Sequence, residues 1–191
     1  TIHKKIYRQK TGSDGLGSFV LDRNLHKDTY FIVDEASMIG SARNDSLFGT
    51  GDLLGDLLRF IDNGQQCKLI LIGDTAQLPP VGLNVSPALD SGELEARGYQ
   101  VVEHTLTDIV RHQRNSGILF NATGIRELIR RSELEIPSFL TDDFKDIHRI
   151  TGVDMLELLT DSYDRYGEEG TIVVTRSNKR ANRFNTGIRG Q

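Results

Sequence analysis

One cysteine, Cys67, stands among the 191 residues, which excludes an internal disulfide framework and any cysteine-rich zinc site. A reducing, cytoplasmic compartment is the simplest expectation. Long apolar runs are lacking as well: nothing approaches the roughly 18–20 continuous apolar residues of a membrane helix. The opening Thr1-Ile2-His3-Lys4-Lys5-Ile6-Tyr7 has no apolar core of the kind a secretory signal needs. Repeats and low-complexity stretches are absent. So is an excess of positive charge: 23 Lys and Arg face 27 Asp and Glu, for a net charge of -4. That balance argues mildly against a dedicated nucleic-acid binder, although a protein that grips one strand in a narrow groove needs no basic average. The chain begins with Thr1 rather than Met, which suggests a cut piece of a longer protein.

What is present reads as a soluble α/β chain, with 37% hydrophobic and 26% charged residues. Residues 11–18 (TGSDGLGS) are rich in glycine and small polar side chains and read as a flexible loop. Two short apolar runs follow, and each ends in an acidic residue. Tyr30-Phe31-Ile32-Val33 precedes Asp34, and Leu69-Ile70-Leu71-Ile72-Gly73 precedes Asp74. Such runs predict strands buried on both faces, as in a parallel sheet. Between them Leu53, Leu54, Leu57, Leu58 and Ile61 fall at helical spacing, and Asn63-Gly64 closes the helix. Strand, helix, strand is the pattern of an α/β layer. Further along, residues 98–105 predict a strand, and a helix opens near Asn115 or Ser116 with Ile118, Ala122, Ile125 and Ile129 on one face. Another helix carries Met155, Leu156, Leu159 and Tyr163 and ends at Gly167; a strand over Thr171–Val174 and a helix from about Asn178 complete the pattern. The expected division is 1–104 and 105–191.

A buried strand ending in Asp34-Glu35 delivers two carboxylates to the carboxyl edge of a parallel sheet, where open α/β sheets bind ligands. One can hold Mg²⁺ through water, because that ion prefers oxygen and keeps much of its hydration. The next can orient or deprotonate an attacking water. An isolated Asp-Glu more often simply opens a solvated loop. Asp74 and Gln77 follow the second strand, and Pro79-Pro80 stiffen the turn beyond them. The Gln77 amide can donate to a phosphate oxygen and accept from a water. His104, His112 and His148 are scattered without metal-ligand spacing, and His26 lies in a charged stretch that reads as solvated.

These segments resemble the superfamily-one helicases of the RecD-like type. Residues 31–39 (FIVDEASMI) look like their Walker B box, and residues 73–82 (GDTAQLPPVG) look like their motif III. Residues 106–118 (LTDIVRHQRNSGI) are similar to the segment that opens their second motor domain, and Thr1-Ile2-His3 to their motif Ib. Ile172-Val173-Val174-Thr175-Arg176 with Asn178, Asn182 and Asn185 resembles the strand and helix inside that second domain. The resemblance implies a RecA-like parallel-sheet P-loop NTPase fold: part of a first motor domain over 1–104 and part of a second over 105–191. It implies ATP and Mg²⁺ as cofactors, with Asp34 holding the ion, Glu35 activating water and Gln77 reading the γ-phosphate. Arg111 would reach the γ-phosphate from the second domain. The family usually has Arg-Gln at this point, whereas this chain has Arg111-His112-Gln113. Single-stranded DNA would meet Thr1, His3 and the Pro79-Pro80 turn. Travel from 5′ to 3′, a place in recombination or repair, and nuclease or helicase subunits as partners are also implied, with no membrane.

No Gly-x-x-x-x-Gly-Lys-Ser/Thr phosphate loop occurs in the chain, and the glycine-rich residues 11–18 have no lysine where one belongs. The chain alone is therefore expected to be inactive as an ATPase or helicase. Two other readings stand beside the helicase: another P-loop DNA motor ATPase, and a degenerate, non-catalytic domain that binds DNA or a protein.

Overall fold

The computed structural model describes residues 1–11, 17–41, 48–107, 116–131 and 135–189. The chain divides into two compact units, Thr1–Ile109 and Val110–Gln191. In the first unit, helix α1 (Ile2–Ile6) runs directly into an antiparallel hairpin of β1 (Tyr7–Thr11) and β2 (Gly17–Leu21). Residues 11–18 were expected to form one flexible loop. Instead, alternate pairing from Tyr7↔Leu21 to Thr11↔Gly17 carries both ends of that stretch into strand. Strand β3 (Tyr30–Val33), helix α2 (Leu53–Asp62) and strand β4 (Lys68–Leu71) follow, with β3 and β4 paired in parallel from Tyr30↔Lys68 to Val33↔Leu71. The strand, helix, strand expectation and the helix end at Asn63 agree with this order.

Helix α2 forms where the apolar spacing puts it. Asp52 caps its start by accepting from the Gly55 N–H at 2.9 Å, and Leu54, Leu57, Leu58, Phe60 and Ile61 bury one face. The inner sides of the two strands, Phe31 and Val33 with Leu69 and Leu71, pack on this core together with Ile6, Tyr7, Ala36 and Ile39. The outer side is open: Tyr30 is 61% and Ile32 65% exposed, and Ile70 is exposed beside them. Strands buried on both faces were expected; among the described residues the sheet has two strands, with α2 on the inner side and the outer side exposed. The residues 98–105 also depart from expectation and carry no strand ladder. They are held by side chains instead. Tyr99 donates its hydroxyl to Asp62 at the end of α2, and Tyr99 and Val101 lean on the core.

One charged residue sits inside this core. Asp56, on the buried face of α2, is 0% exposed. Its carboxylate accepts from the Tyr7 hydroxyl at 2.8 Å, the Thr50 N–H at 2.9 Å, the Thr50 hydroxyl at 2.9 Å and the Arg59 guanidinium. Burial works to raise its pKa, but the donors from Thr50, Arg59 and Tyr7 outweigh that and hold the carboxyl below its usual range. Burial and the same carboxylate push the Tyr7 phenol up. Gly49 is required beside it: its φ is +53°, and a Cβ there would lie 2.0 Å from an Asp56 oxygen.

In the second unit, helix α4 (Gly117–Arg131) is stapled at its start by Asp146. That carboxylate accepts from the Ser116 hydroxyl at 2.7 Å, the Gly117 N–H at 2.8 Å and the Ile118 N–H at 3.4 Å. Asn121, one turn on, exchanges two 2.8 Å bonds with the Leu140 backbone. Helix α5 (Met155–Gly170) is broken at Gly167, whose φ is 73°, and α6 is Asn178–Arg189. Helix α3 (Ser91–Ala96) belongs to the first unit. The expected strand Thr171–Val174 has no ladder: Ile172 is 85% and Val174 86% exposed, with no strand beside them among the described residues.

Two outcomes follow from these polar anchors. Tyr7→Phe removes one bond to a buried carboxylate and should lower the unfolding free energy by about 1.5–3 kcal/mol; urea titration with an unchanged slope checks it. Hydrogen bonds from Ser116 and Gly117 depress the Asp146 pKa to about 2. Its capping contribution should therefore be intact above the unfolded value of roughly 4 and be lost as pH falls through about 2. Amide exchange at Gly117 and Ile118 should track that window, and Asp146→Asn should abolish the pH dependence.

Candidate functional site

Parallel pairing sends β3 and β4 out of the sheet at the same edge, with Asp34 directly after β3 and Asp74 beyond Ile72-Gly73 after β4. The Ile72 N–H donates to the Val33 carbonyl at 2.8 Å, and the Ala36 N–H donates to the Ile72 carbonyl at 2.9 Å. These two bonds extend the ladder past the strands and place Asp34-Glu35 beside Ile72-Gly73. Asp34 is exposed and accepts from the Glu35 N–H at 2.9 Å through one carboxylate oxygen. Glu35 is also exposed and sits in the left-handed region, at φ 54° and ψ 40°. A non-glycine residue held there carries backbone strain of the kind that gathers at functional sites.

After Glu35 the chain turns through a short 3-10 turn, Ala36–Met38, whose Ala36 and Ser37 are buried. Gly73 makes this close approach possible. A Cβ at that position would meet Leu89 Cδ1 at 2.8 Å, the Ser37 nitrogen at 3.1 Å and the Ala36 nitrogen at 3.3 Å. From Gly73 the second loop bends back. Asp74 accepts from the Ala76 N–H at 2.9 Å, and its carbonyl accepts from the Gln77 N–H at 3.1 Å, which leaves the Gln77 side chain exposed. Pro79 and Pro80 are half-buried, and Pro80 lies against Gly40, where an added Cβ would come within 3.4 Å of it. The Ser86 hydroxyl donates to the Ala36 carbonyl at 3.4 Å. Two loops separated by some forty residues of sequence are thus knitted into one surface carrying Asp34, Glu35, Asp74 and Gln77.

Chemically, this edge offers exposed carboxylates and an exposed amide on a rigid backbone. Asp34 spends one oxygen on the Glu35 N–H and is otherwise exposed, which suits a hydrated Mg²⁺ held through water. Among the described residues no three His, Cys, Asp or Glu side chains come together as a fully protein-ligated metal site. No helix of the described residues is long and apolar enough to cross a membrane.

The other anticipated positions lie elsewhere. Thr1 and His3 are exposed on α1, which packs on α2; the His3 ring stands edge-on to Phe48 at 5.0 Å and tilted to Tyr7 at 5.8 Å. Arg111, with His112, lies outside the described residues. His26 departs from its solvated reading: it is half-buried, its Nδ1 lies 2.7 Å from the Asn24 side-chain oxygen, and its ring packs edge-on to Phe31 at 5.2 Å. Sequence reasoning passed over Ser37, whose hydroxyl is 1% exposed and has no hydrogen-bond partner among the described residues. It also passed over Asp56, although a carboxylate within the Leu53–Phe60 apolar stripe is a visible signal.

Comparison with protein-family models, with curated proteins and with solved structures gave no match to this chain.

Because Gly73 lets the two loops touch, Gly73→Ala should force them apart and cost roughly 1–3 kcal/mol by overpacking. Gly40→Ala, with 3.4 Å of room to Pro80, is the milder comparison. Equal urea midpoints for the two variants would contradict this packing.

Proposed function

We propose that the edge formed by Asp34-Glu35 and Gly73–Gln77 is the γ-phosphate side of an ATP-hydrolysing site in a RecA-like nucleic-acid motor of the RecD-like helicase type. The observation that carries this reading is the pair of backbone bonds, Ile72 to Val33 and Ala36 to Ile72, that sets the two strand ends side by side. An ATP site divides its work in this way: one strand end holds the ion and the water, and its neighbour senses the phosphate. In this reading Asp34 holds Mg²⁺ through water, which supplies charge neutralisation at the phosphates. Glu35, next to it but turned by its left-handed backbone, accepts the proton of the attacking water. Gln77 donates its amide to the γ-phosphate, and its exposure lets it reach there. By the same resemblance Arg111, which lies outside the described residues, would add charge stabilisation.

The strand gripped would be single-stranded DNA, contacted by Thr1, His3 and the Pro79-Pro80 turn. The Pro80 contact with Gly40 favours coupling of ATP state to strand contact, because it ties that turn to the segment leaving Glu35. Movement from 5′ to 3′, a cytoplasmic setting and a role in recombination or repair, alone or with nuclease or helicase subunits, belong to the same proposal. The presence of Asp34, Glu35 and Gln77 together at one edge favours this reading over a degenerate binding domain.

In the full reading frame that encodes this chain, Glu35→Gln should lower DNA-stimulated ATP turnover by about 10²-fold or more and leave nucleotide binding in place. Phosphate release and a fluorescent-nucleotide titration measure the two quantities. Unchanged turnover would overturn the role of Glu35.

A further inference from the structure

Two buried hydroxyls border the turn that leaves Glu35, and the fold treats them differently. Ser86 donates to the Ala36 carbonyl at 3.4 Å. Ser37, in the middle of the Ala36–Met38 turn, has no hydrogen-bond partner, and its hydroxyl is the one buried side-chain polar atom left so among the described residues. A hydroxyl taken out of water without a replacement bond raises the energy of the arrangement that holds it. Any second arrangement that gives it a partner is favoured by the same amount.

The surroundings of Ser37 say where such a partner lies. The backbone of the turn is fastened: the Ala36 N–H donates to the Ile72 carbonyl at 2.9 Å, and the Ile39 N–H donates to the Ala36 carbonyl at 3.1 Å. The Ser37 nitrogen stands 3.1 Å from where a Cβ on Gly73 would be, so the residue cannot sink further towards the second loop. On the other side, Asp34 accepts from the Glu35 N–H at 2.9 Å, a local bond that fixes how the left-handed Glu35 backbone turns. A hydrated Mg²⁺ at Asp34 draws on the same carboxylate and weakens that bond. A serine hydroxyl three residues beyond a carbonyl has that carbonyl as a ready acceptor, and for Ser37 it belongs to Asp34.

We propose that Ser37 is a positioning residue of this edge: when Mg²⁺ and nucleotide engage Asp34, the Glu35–Met38 turn shifts so that the Ser37 hydroxyl bonds the Asp34 carbonyl, and that bond sets where Glu35 stands. The inference rests on the ATP-site reading above and deepens it by naming what controls the placement of Glu35. A ligand shifts a conformational equilibrium only through its different affinity for the two states. Here the paired hydroxyl adds to the stability of the state that the ion and nucleotide select.

The test uses the protein expressed from the full reading frame, with amide exchange over residues 36–39 and titration with Mg²⁺ and a non-hydrolysable ATP analogue. Ser37→Ala removes the unpaired oxygen, so exchange over these residues should slow without nucleotide. The same variant should bind the analogue about five- to tenfold more weakly, and the analogue should no longer alter exchange there. Ser86→Ala, which loses a bond already made, should speed exchange and leave the affinity unchanged. A Ser37→Ala protein with faster exchange, or with unchanged affinity, would show a hydroxyl of structural importance alone and overturn the inference while leaving the ATP site in place. Failure of the unaltered protein to bind the analogue would overturn both.

Discussion

Two backbone hydrogen bonds, from Ile72 to Val33 and from Ala36 to Ile72, carry the parallel register of β3 and β4 beyond the end of the sheet. Everything at the candidate site depends on that continuation. A parallel pair must exit on one edge, so residues remote in sequence emerge together, and here a carboxylate lies at each exit, Asp34 directly after β3 and Asp74 beyond Ile72-Gly73 after β4. Gly73 then sets how near the loops can come, and the strained Glu35 backbone turns the chain sharply enough to bury Ala36 and Ser37. The site's polar side chains stay exposed because the backbone beneath them takes up the packing.

A second constraint lies on the other side of α2. Asp56 is a buried charge whose desolvation is offset by donors from three separate segments, and losing any one leaves the carboxylate under-satisfied. The helix that covers the strands is thereby tied at Tyr7 and Thr50 to the hairpin side, while its first turn donates from Leu54 to the Gly40 carbonyl at 3.1 Å on the site side. Helix α2 thus touches both the loop leaving Glu35 and, through Tyr7, the start of the β1–β2 hairpin.

The parts of this structure legible in the sequence are those with short-range causes. Apolar runs of four residues before Asp34 and Asp74 gave away β3 and β4, and the leucine spacing with Asp52 and Asn63 marked both ends of α2. What escaped was fixed by distant partners. Residues 98–105 have strand-like composition, but Tyr99 finds Asp62 in place of a neighbouring strand. Thr171–Val174 is as apolar as β4 and lacks a partner among the described residues. Asp34 and Glu35 were visible as candidates, whereas the left-handed Glu35 backbone, the Gly73 contact and the buried Ser37 hydroxyl needed coordinates. Asp56 was hidden in plain view, since no pattern in one segment shows that Tyr7 and Thr50 will meet it.

The central claim is that the two strand-end loops form one ion-and-phosphate edge. Paramagnetic broadening of backbone amide signals by Mn²⁺ with ATP, recorded on the protein expressed from the full reading frame with these segments isotopically labelled, tests it directly. The amides of Glu35–Ser37 and of Gly73–Ala76 should broaden together at low metal stoichiometry, and Asp34→Asn should remove the effect from both. Broadening scattered over the acidic surface and indifferent to Asp34→Asn would contradict a shared site at this edge.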